Sequence, residues 1–135
     1  MISNTILLVQ SGTDLAPHFR GRLEDRGYTV VEAVNAAAAM DIVNASEIAL
    51  VVTDLYLRVG KFRCLAHAIG KSPALHRTKL LAYTEHGKRE DRVWAQQTGA
   101  DGYVLTRSGE DRFLSVVDQL MTARWAPRRS GRRLP

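Results

Sequence analysis

Five short apolar segments alternate with longer, more polar segments along the chain, and this alternation constrains the fold more than any other feature. Short runs rich in Leu, Ile and Val are typical of strands that are buried on both faces of a parallel sheet. The predicted strands are 6–9, 28–31, 48–53, 79–84 and 102–106.

An amphipathic segment follows each of these runs. In the first, Leu15, Phe19 and Leu23 repeat every four residues among charged residues, and Gly27 stands just past the predicted helix end. Because strand and helix alternate, the pattern predicts an α/β fold: (βα)5, a doubly wound parallel five-stranded sheet with helices on both faces. The other predicted helices are 36–43, with Asn35 as a possible N-cap, 62–69, 88–98, which Gly99 would end, and 113–121.

The length of 135 residues suits one domain. The distribution of charged residues separates this predicted domain from a short C-terminal tail. Of the 19 lysines and arginines, five are arginines from position 124 onward, which leaves 14 basic residues to balance the 14 acidic ones elsewhere. We therefore expect a domain over residues 1–125 and a basic, disordered tail over 126–135.

A single cysteine, Cys64, excludes an internal disulfide and favours a reducing, cytoplasmic compartment. No apolar run approaches the roughly 20 residues that a membrane helix needs, so we expect no membrane association. The N-terminal residues have no basic stretch before their apolar run, so they do not resemble a secretory signal.

The candidate functional residues stand where predicted strands end, because open α/β sheets bind ligands at that edge. Asp54 ends an otherwise apolar strand, where a charge costs free energy unless water or a partner reaches it. Thr84 ends the next strand in the same way. Taken alone, Asp54 could also be a helix cap or a solvated loop carboxylate.

Asp54, Thr84 thirty residues later and Tyr103 nineteen residues after that resemble the receiver domain of two-component response regulators. Neighbouring residues resemble the same family, with Gly-Tyr at 27–28 and Gly-Ala-Asp-Gly-Tyr-Val at 99–104. The resemblance covers about residues 5–122. It implies a flavodoxin-like receiver fold in which Asp54 is the phosphoacceptor, Thr84 the switch hydroxyl and Tyr103 the switch aromatic.

The resemblance also implies a Mg²⁺ ion, held by an acidic pair after the first strand, by the phosphoacceptor and by a backbone carbonyl two residues beyond it. It further implies a lysine at the end of the fifth strand that contacts the phosphoryl group. In the family the threonine hydroxyl follows the phosphoryl group and the aromatic ring turns inward behind it. This sequence departs from that pattern, since Gln10 and Ser11 replace the acidic pair and Thr106 replaces the lysine. Arg107 follows Thr106, but alternation along a strand predicts that it points away.

With Asp54 as the remaining charged ligand, Mg²⁺ binding is expected to be weak. We therefore interpret the chain as a divergent, pseudo-receiver signalling module and not an enzyme. Its expected partner is a protein, either a sensor histidine kinase or a downstream signalling protein. A homodimer could form through the face of the fourth helix, fifth strand and fifth helix. The residues of this face that could supply salt-bridging groups are Lys88, Arg89, Glu90, Asp91, Arg92, Asp101 and Arg112.

Two alternatives stay open. The chain could be a conventional, phosphorylatable single-domain response regulator, in which Asp54 is phosphorylated with Mg²⁺. It could instead be a nucleic-acid accessory protein that uses the arginine-rich tail through counterion release. The arginines of the tail have no interleaved aromatics, so they provide affinity but no sequence specificity, and nucleic acid is the less favoured partner.

Overall fold

The computed structural model describes residues 3–9, 15–58, 60, 64–75, 77–85 and 87–122, and for residues 15–18 the backbone alone. Strands and helices alternate five times, as the apolar pattern predicts. The elements are β1 (Thr5–Val9), α1 (Leu15–Asp25), β2 (Thr29–Ala33), α2 (Ala36–Ala45), β3 (Leu50–Thr53), α3 (Leu65–Lys71), β4 (Lys79–Thr84), α4 (Arg89–Thr98), β5 (Gly102–Leu105) and α5 (Glu110–Thr122).

The five strands form one parallel sheet in the order β2-β1-β3-β4-β5. The predicted (βα)5 fold is therefore confirmed. The chain reverses its direction of winding between β1 and β3, and the crevice at such a reversal is where ligands bind in this architecture. Asp54 directly follows β3 and so lies at that edge.

Helices pack on both faces of the sheet because alternate side chains of a strand point to opposite sides. In β1, Ile6 and Leu8 join one apolar cluster, which contains Phe19 of α1 and Phe113 of α5. Leu7 belongs to the other cluster, against α2, α3 and α4. Every strand thus contributes to a double-sided core.

Helices α3 and α4 approach each other unusually closely. A Cβ atom added to Gly70 would lie 1.7 Å from the backbone oxygen of Thr98. The rings of His67 and Trp94 stack nearby, with centroids 5.7 Å apart. Gly70 is therefore required by packing, since any side chain would push the two backbones apart.

Several predicted boundaries need correction. Helix α3 ends at Lys71 and not at residue 69, and it begins after Cys64, whose Sγ accepts a hydrogen bond from the His67 backbone N–H at 3.3 Å. Residues 62 and 63 of the predicted helix lie outside the described residues. Strand β5 ends at Leu105, one residue early, because Thr106–Ser108 turn into a 3₁₀-helix.

The strands β2 and β3 also differ slightly from prediction. Strand β2 covers Thr29–Ala33, because its register with β1 pairs Val9 with Ala33. Strand β3 begins at Leu50 and not at residue 48. Gly99 ends α4 in the left-handed conformation at φ 85°, and the Asn35 side chain caps α2, both as predicted.

Candidate functional site at the carboxyl edge of the sheet

Asp54 and Thr84 come together at the end of two neighbouring strands. Strands β3 and β4 pair in parallel, so their carboxyl ends lie side by side. The Thr84 hydroxyl donates a hydrogen bond to Asp54 Oδ1 at 3.2 Å. Thr84 is fully buried, whereas Asp54 is partly open to solvent. The sequence predicted this pair, and the fold brings it into contact.

The same carboxylate oxygen has a second donor in its own loop. The backbone N–H of Tyr56 donates to Asp54 Oδ1 at 3.1 Å. An aspartate that accepts from the residue two positions on forms an Asx-turn, which stabilises a tight loop. Asp54 does not cap α3, because that helix begins only at Leu65. The carboxylate is thus held by its loop and by β4.

Tyr103 lies on the second residue of β5 with its ring packed inward. It is 8% exposed and joins the apolar cluster on the α4 side of the sheet. The guanidinium of Arg92 stands over the ring, 5.5 Å from its centroid. Burial raises the pKa of Tyr103, the charge of Asp91 raises it further, and Arg92 and Arg107 offset part of the rise.

The positions that depart from the family pattern divide between described and undescribed residues. Gln10 and Ser11 lie outside the described residues. Thr106 is exposed and opens the 3₁₀-helix. Strand alternation therefore does not govern Arg107. A Cβ on Gly87 would lie 3.0 Å from Arg107 Nη2, so the guanidinium lies beside the loop between β4 and α4.

Asp54 is the predicted acidic Mg²⁺ ligand that lies within the described residues. Within the described ranges no three His, Cys, Asp or Glu side chains gather where they could hold a metal ion. Asp54 Oδ1 already accepts two hydrogen bonds from the protein. Mg²⁺ is bound by hard oxygen ligands, carboxylates above all, and the sequence supplies neutral side chains at positions 10 and 11.

One contact near the site was not predicted. The Tyr56 hydroxyl donates a hydrogen bond to Asp91 Oδ1, which joins the loop after β3 to helix α4. This hydrogen bond, followed by burial, raises the pKa of Tyr56 to about 12. The residues are 35 positions apart, and no local pattern in either segment indicates that they meet.

The expected interaction face on α4, β5 and α5 needs one correction. Asp91 and Asp101 are 7% and 8% exposed, and Asp101 accepts a hydrogen bond from the Leu80 backbone N–H at 2.8 Å. Both carboxylates therefore serve the fold and are not free for a partner. Of the residues predicted to supply salt bridges on this face, Lys88, Arg89, Glu90, Arg92 and Arg112 are exposed.

The family model described as "Response regulator receiver domain" matches residues 6–118. The chain belongs to the response regulator receiver domain family. Receiver domains are modules of two-component signalling, so the predicted family and fold are both confirmed.

Two curated relatives of this receiver domain are named "Probable transcriptional regulator ycf29", from Porphyra purpurea and Pyropia yezoensis. Each is 22% identical over 120 residues, which is 89% of this chain. The match covers 57% and 54% of their lengths. The chain thus spans little more than half the length of these relatives.

Solved structures show the same fold at low identity. A receiver domain of a signal transduction histidine kinase from Syntrophus aciditrophicus gives a TM-score of 0.75 at 21% identity, covering 87% of this chain and 89% of that one. The chemotaxis response regulator CheY4 of Vibrio cholerae gives a TM-score of 0.76 at 17% identity, covering 88% of this chain and 99% of that one.

Every helix within the described residues is too short or too polar to span a membrane.

Proposed function

We propose that this receiver domain is a divergent signalling module that acts by binding a protein partner, with weak or no phosphorylation at Asp54. The observation that carries the proposal is the hydrogen bond from the Thr84 hydroxyl to Asp54 Oδ1 at 3.2 Å. The residue that would follow a phosphoryl group is already joined to the acceptor itself. Tyr103 is also already packed into the apolar cluster on the α4 side of the sheet, at 8% exposure.

The residues at positions 10, 11 and 106 support the same proposal, because they supply neither a lysine nor acids that would bind a metal cation. Phosphoryl transfer to a carboxylate needs cations placed where charge develops on the transferring oxygens. Position 106 is a threonine and positions 10 and 11 are neutral, so neither the family's lysine nor its metal-binding acids are present. Without them, transfer to Asp54 loses the electrostatic stabilisation on which its rate depends.

Partner binding is proposed for the face of α4, β5 and α5. Its exposed residues carry both signs of charge, among them Arg89, Glu90 and Arg112. Charges of this kind contribute little affinity, but they set orientation and exclude wrong partners. A histidine kinase, a downstream signalling protein or a second copy of the chain would each present a complementary surface.

A restoration experiment tests the proposal. The wild type and the triple variant Gln10→Asp, Ser11→Asp, Thr106→Lys are incubated with Mg²⁺ and acetyl phosphate, and their intact masses are measured. We expect the triple variant to gain one phosphoryl group, because acids and lysine are back in place, and the wild type to gain little or none. Adding Asp54→Asn to the triple variant should abolish the gain.

Equal phosphorylation of the wild type and the triple variant would contradict the proposal. It would favour the conventional, phosphorylatable response regulator. A mass gain in the wild type that survives Asp54→Asn would place any modification elsewhere and would leave Asp54 without a role as acceptor.

The curated relatives are named as probable transcriptional regulators, which keeps the nucleic-acid alternative as a second proposal. The basic tail at 126–135 lies outside the described residues, and its separation from a domain at 1–125 stays a prediction. If the tail binds DNA, deleting 126–135 abolishes a salt-sensitive shift of DNA in a gel. Unchanged DNA binding after the deletion rejects this alternative.

A further inference from the structure

Tyr56 bridges the loop that carries Asp54 and the first turn of α4. It stands two residues after Asp54, and the residue is 45% exposed. Its hydroxyl donates to Asp91 Oδ1, across 35 positions of sequence.

Asp91 is the residue that organises the start of α4. Its Oδ2 accepts a hydrogen bond at 3.0 Å from the backbone N–H of Lys88, the residue that precedes the helix. An acid at this position satisfies a backbone donor that the helix leaves open and complements the helix dipole. Since Asp91 is 7% exposed, its carboxylate needs such partners to be buried. The Tyr56 hydroxyl is one of them.

The other end of Tyr56 is bonded to the candidate phosphoacceptor. Its backbone N–H donates to Asp54 Oδ1 at 3.1 Å, the same oxygen that Thr84 contacts. One residue is therefore attached to Asp54 through its main chain and to α4 through its side chain. A phenol ring has only two side-chain torsions, so this connection is short and stiff.

We propose that Tyr56 is a positioning residue that couples the carboxylate of Asp54 to the first turn of α4. A change at Asp54 that releases the Tyr56 N–H shifts the loop, withdraws the hydroxyl from Asp91 and loosens the start of the helix. This route is separate from the one that the family makes through its switch hydroxyl and switch aromatic, the positions of Thr84 and Tyr103 here. It goes beyond the proposed function, because it requires no phosphoryl group.

The coupling reaches an exposed surface. Arg92 stands next to Asp91 and holds its guanidinium over the Tyr103 ring, and Val93 is 45% exposed. Both belong to the first two turns of α4. A loosened first turn would therefore change the surface that α4 offers to a protein.

Hydrogen exchange of the full chain tests the coupling with a matched control. Tyr56→Phe removes the hydroxyl and keeps the ring. Tyr28→Phe removes a hydroxyl that makes the same kind of bond, to Asp118 at 2.8 Å, away from the site. We expect Tyr56→Phe to speed exchange of the Lys88, Asp91 and Arg92 amides about fivefold, as for loss of one partly buried hydrogen bond. Tyr28→Phe should leave these amides unchanged.

A second comparison separates coupling from simple structural support. Asp54→Ala is made in the wild type and in Tyr56→Phe, and the same three amides are measured. The account predicts that Asp54→Ala speeds their exchange in the wild type and has no further effect in Tyr56→Phe. An equal effect of Asp54→Ala in both backgrounds, or equal effects of Tyr56→Phe and Tyr28→Phe on α4, would overturn the proposal.

Discussion

At the scale of residues, the geometry of the candidate site depends on which groups donate hydrogen bonds to the Asp54 carboxylate. Asp54 Oδ1 accepts hydrogen bonds from the Thr84 hydroxyl and from the Tyr56 backbone N–H, so β4 and the loop together hold the carboxylate in place.

The phenol of Tyr56 gives this arrangement a measurable signature. Its hydrogen bond to Asp91 raises its pKa from 10.0 to about 12. Because the folded-state pKa lies above that of a free tyrosine, the bond's contribution to stability is fully present below pH 10 and is lost as the pH rises through about 12.

Asp91→Asn tests the cause of this shift. The variant keeps a side-chain oxygen for the Lys88 N–H but removes the charge that disfavours a phenolate. We expect the Tyr56 pKa, followed by the NMR shift of its Cζ, to fall toward 10 while that of Tyr28, also about 12, stays in place. An unchanged Tyr56 pKa would mean that the bond to Asp91 is not its cause.

At the scale of elements, the close approach of α3 and α4 positions the face next to the site. Gly70 allows it, because a Cβ there would lie 1.7 Å from Thr98 O. The backbone of a helix moves less easily than the end of a flexible side chain, so a methyl group at this position must separate the helices.

Gly70→Ala is therefore expected to lower the free energy of unfolding by about 1–3 kcal/mol, the usual range for overpacking. Gly21→Ala is the matched control, because Gly21 lies in α1 with open space around its Cβ position. There the same change should stabilise by about 0.5–1 kcal/mol through helix propensity. Urea unfolding measures both, and a stabilising Gly70→Ala would refute the packing argument.

At the scale of the whole molecule, the sequence predicted what depends on local periodicity. Five apolar runs and their helical partners place β1 to β5 in order, and the strand-end rule brings Asp54 and Thr84 to one edge. Helix ends marked by a conformational requirement, such as Gly99, were also correct. These features are fixed by neighbours in the chain.

Features that depend on packing between distant segments could not be predicted. The Tyr56–Asp91 bond requires the loop after β3 to face α4. The ion pair of Arg26 with Asp118, at 2.9 Å, requires the residue that follows α1 to lie beside α5. Because Thr106–Ser108 form a 3₁₀-helix, Arg107 does not follow the alternation of strand side chains. No glycine, proline or asparagine directly before Thr106 indicates that the strand ends there.

The proposed function requires that Thr84 and Tyr103 hold the same positions around Asp54 with and without a phosphoryl donor. Backbone amide NMR spectra of the full chain, recorded before and after addition of Mg²⁺ and acetyl phosphate, test it most directly. The account predicts unchanged peaks for Thr84, Tyr103 and the first turn of α4. A second set of peaks at these residues, absent in Asp54→Asn, would contradict it.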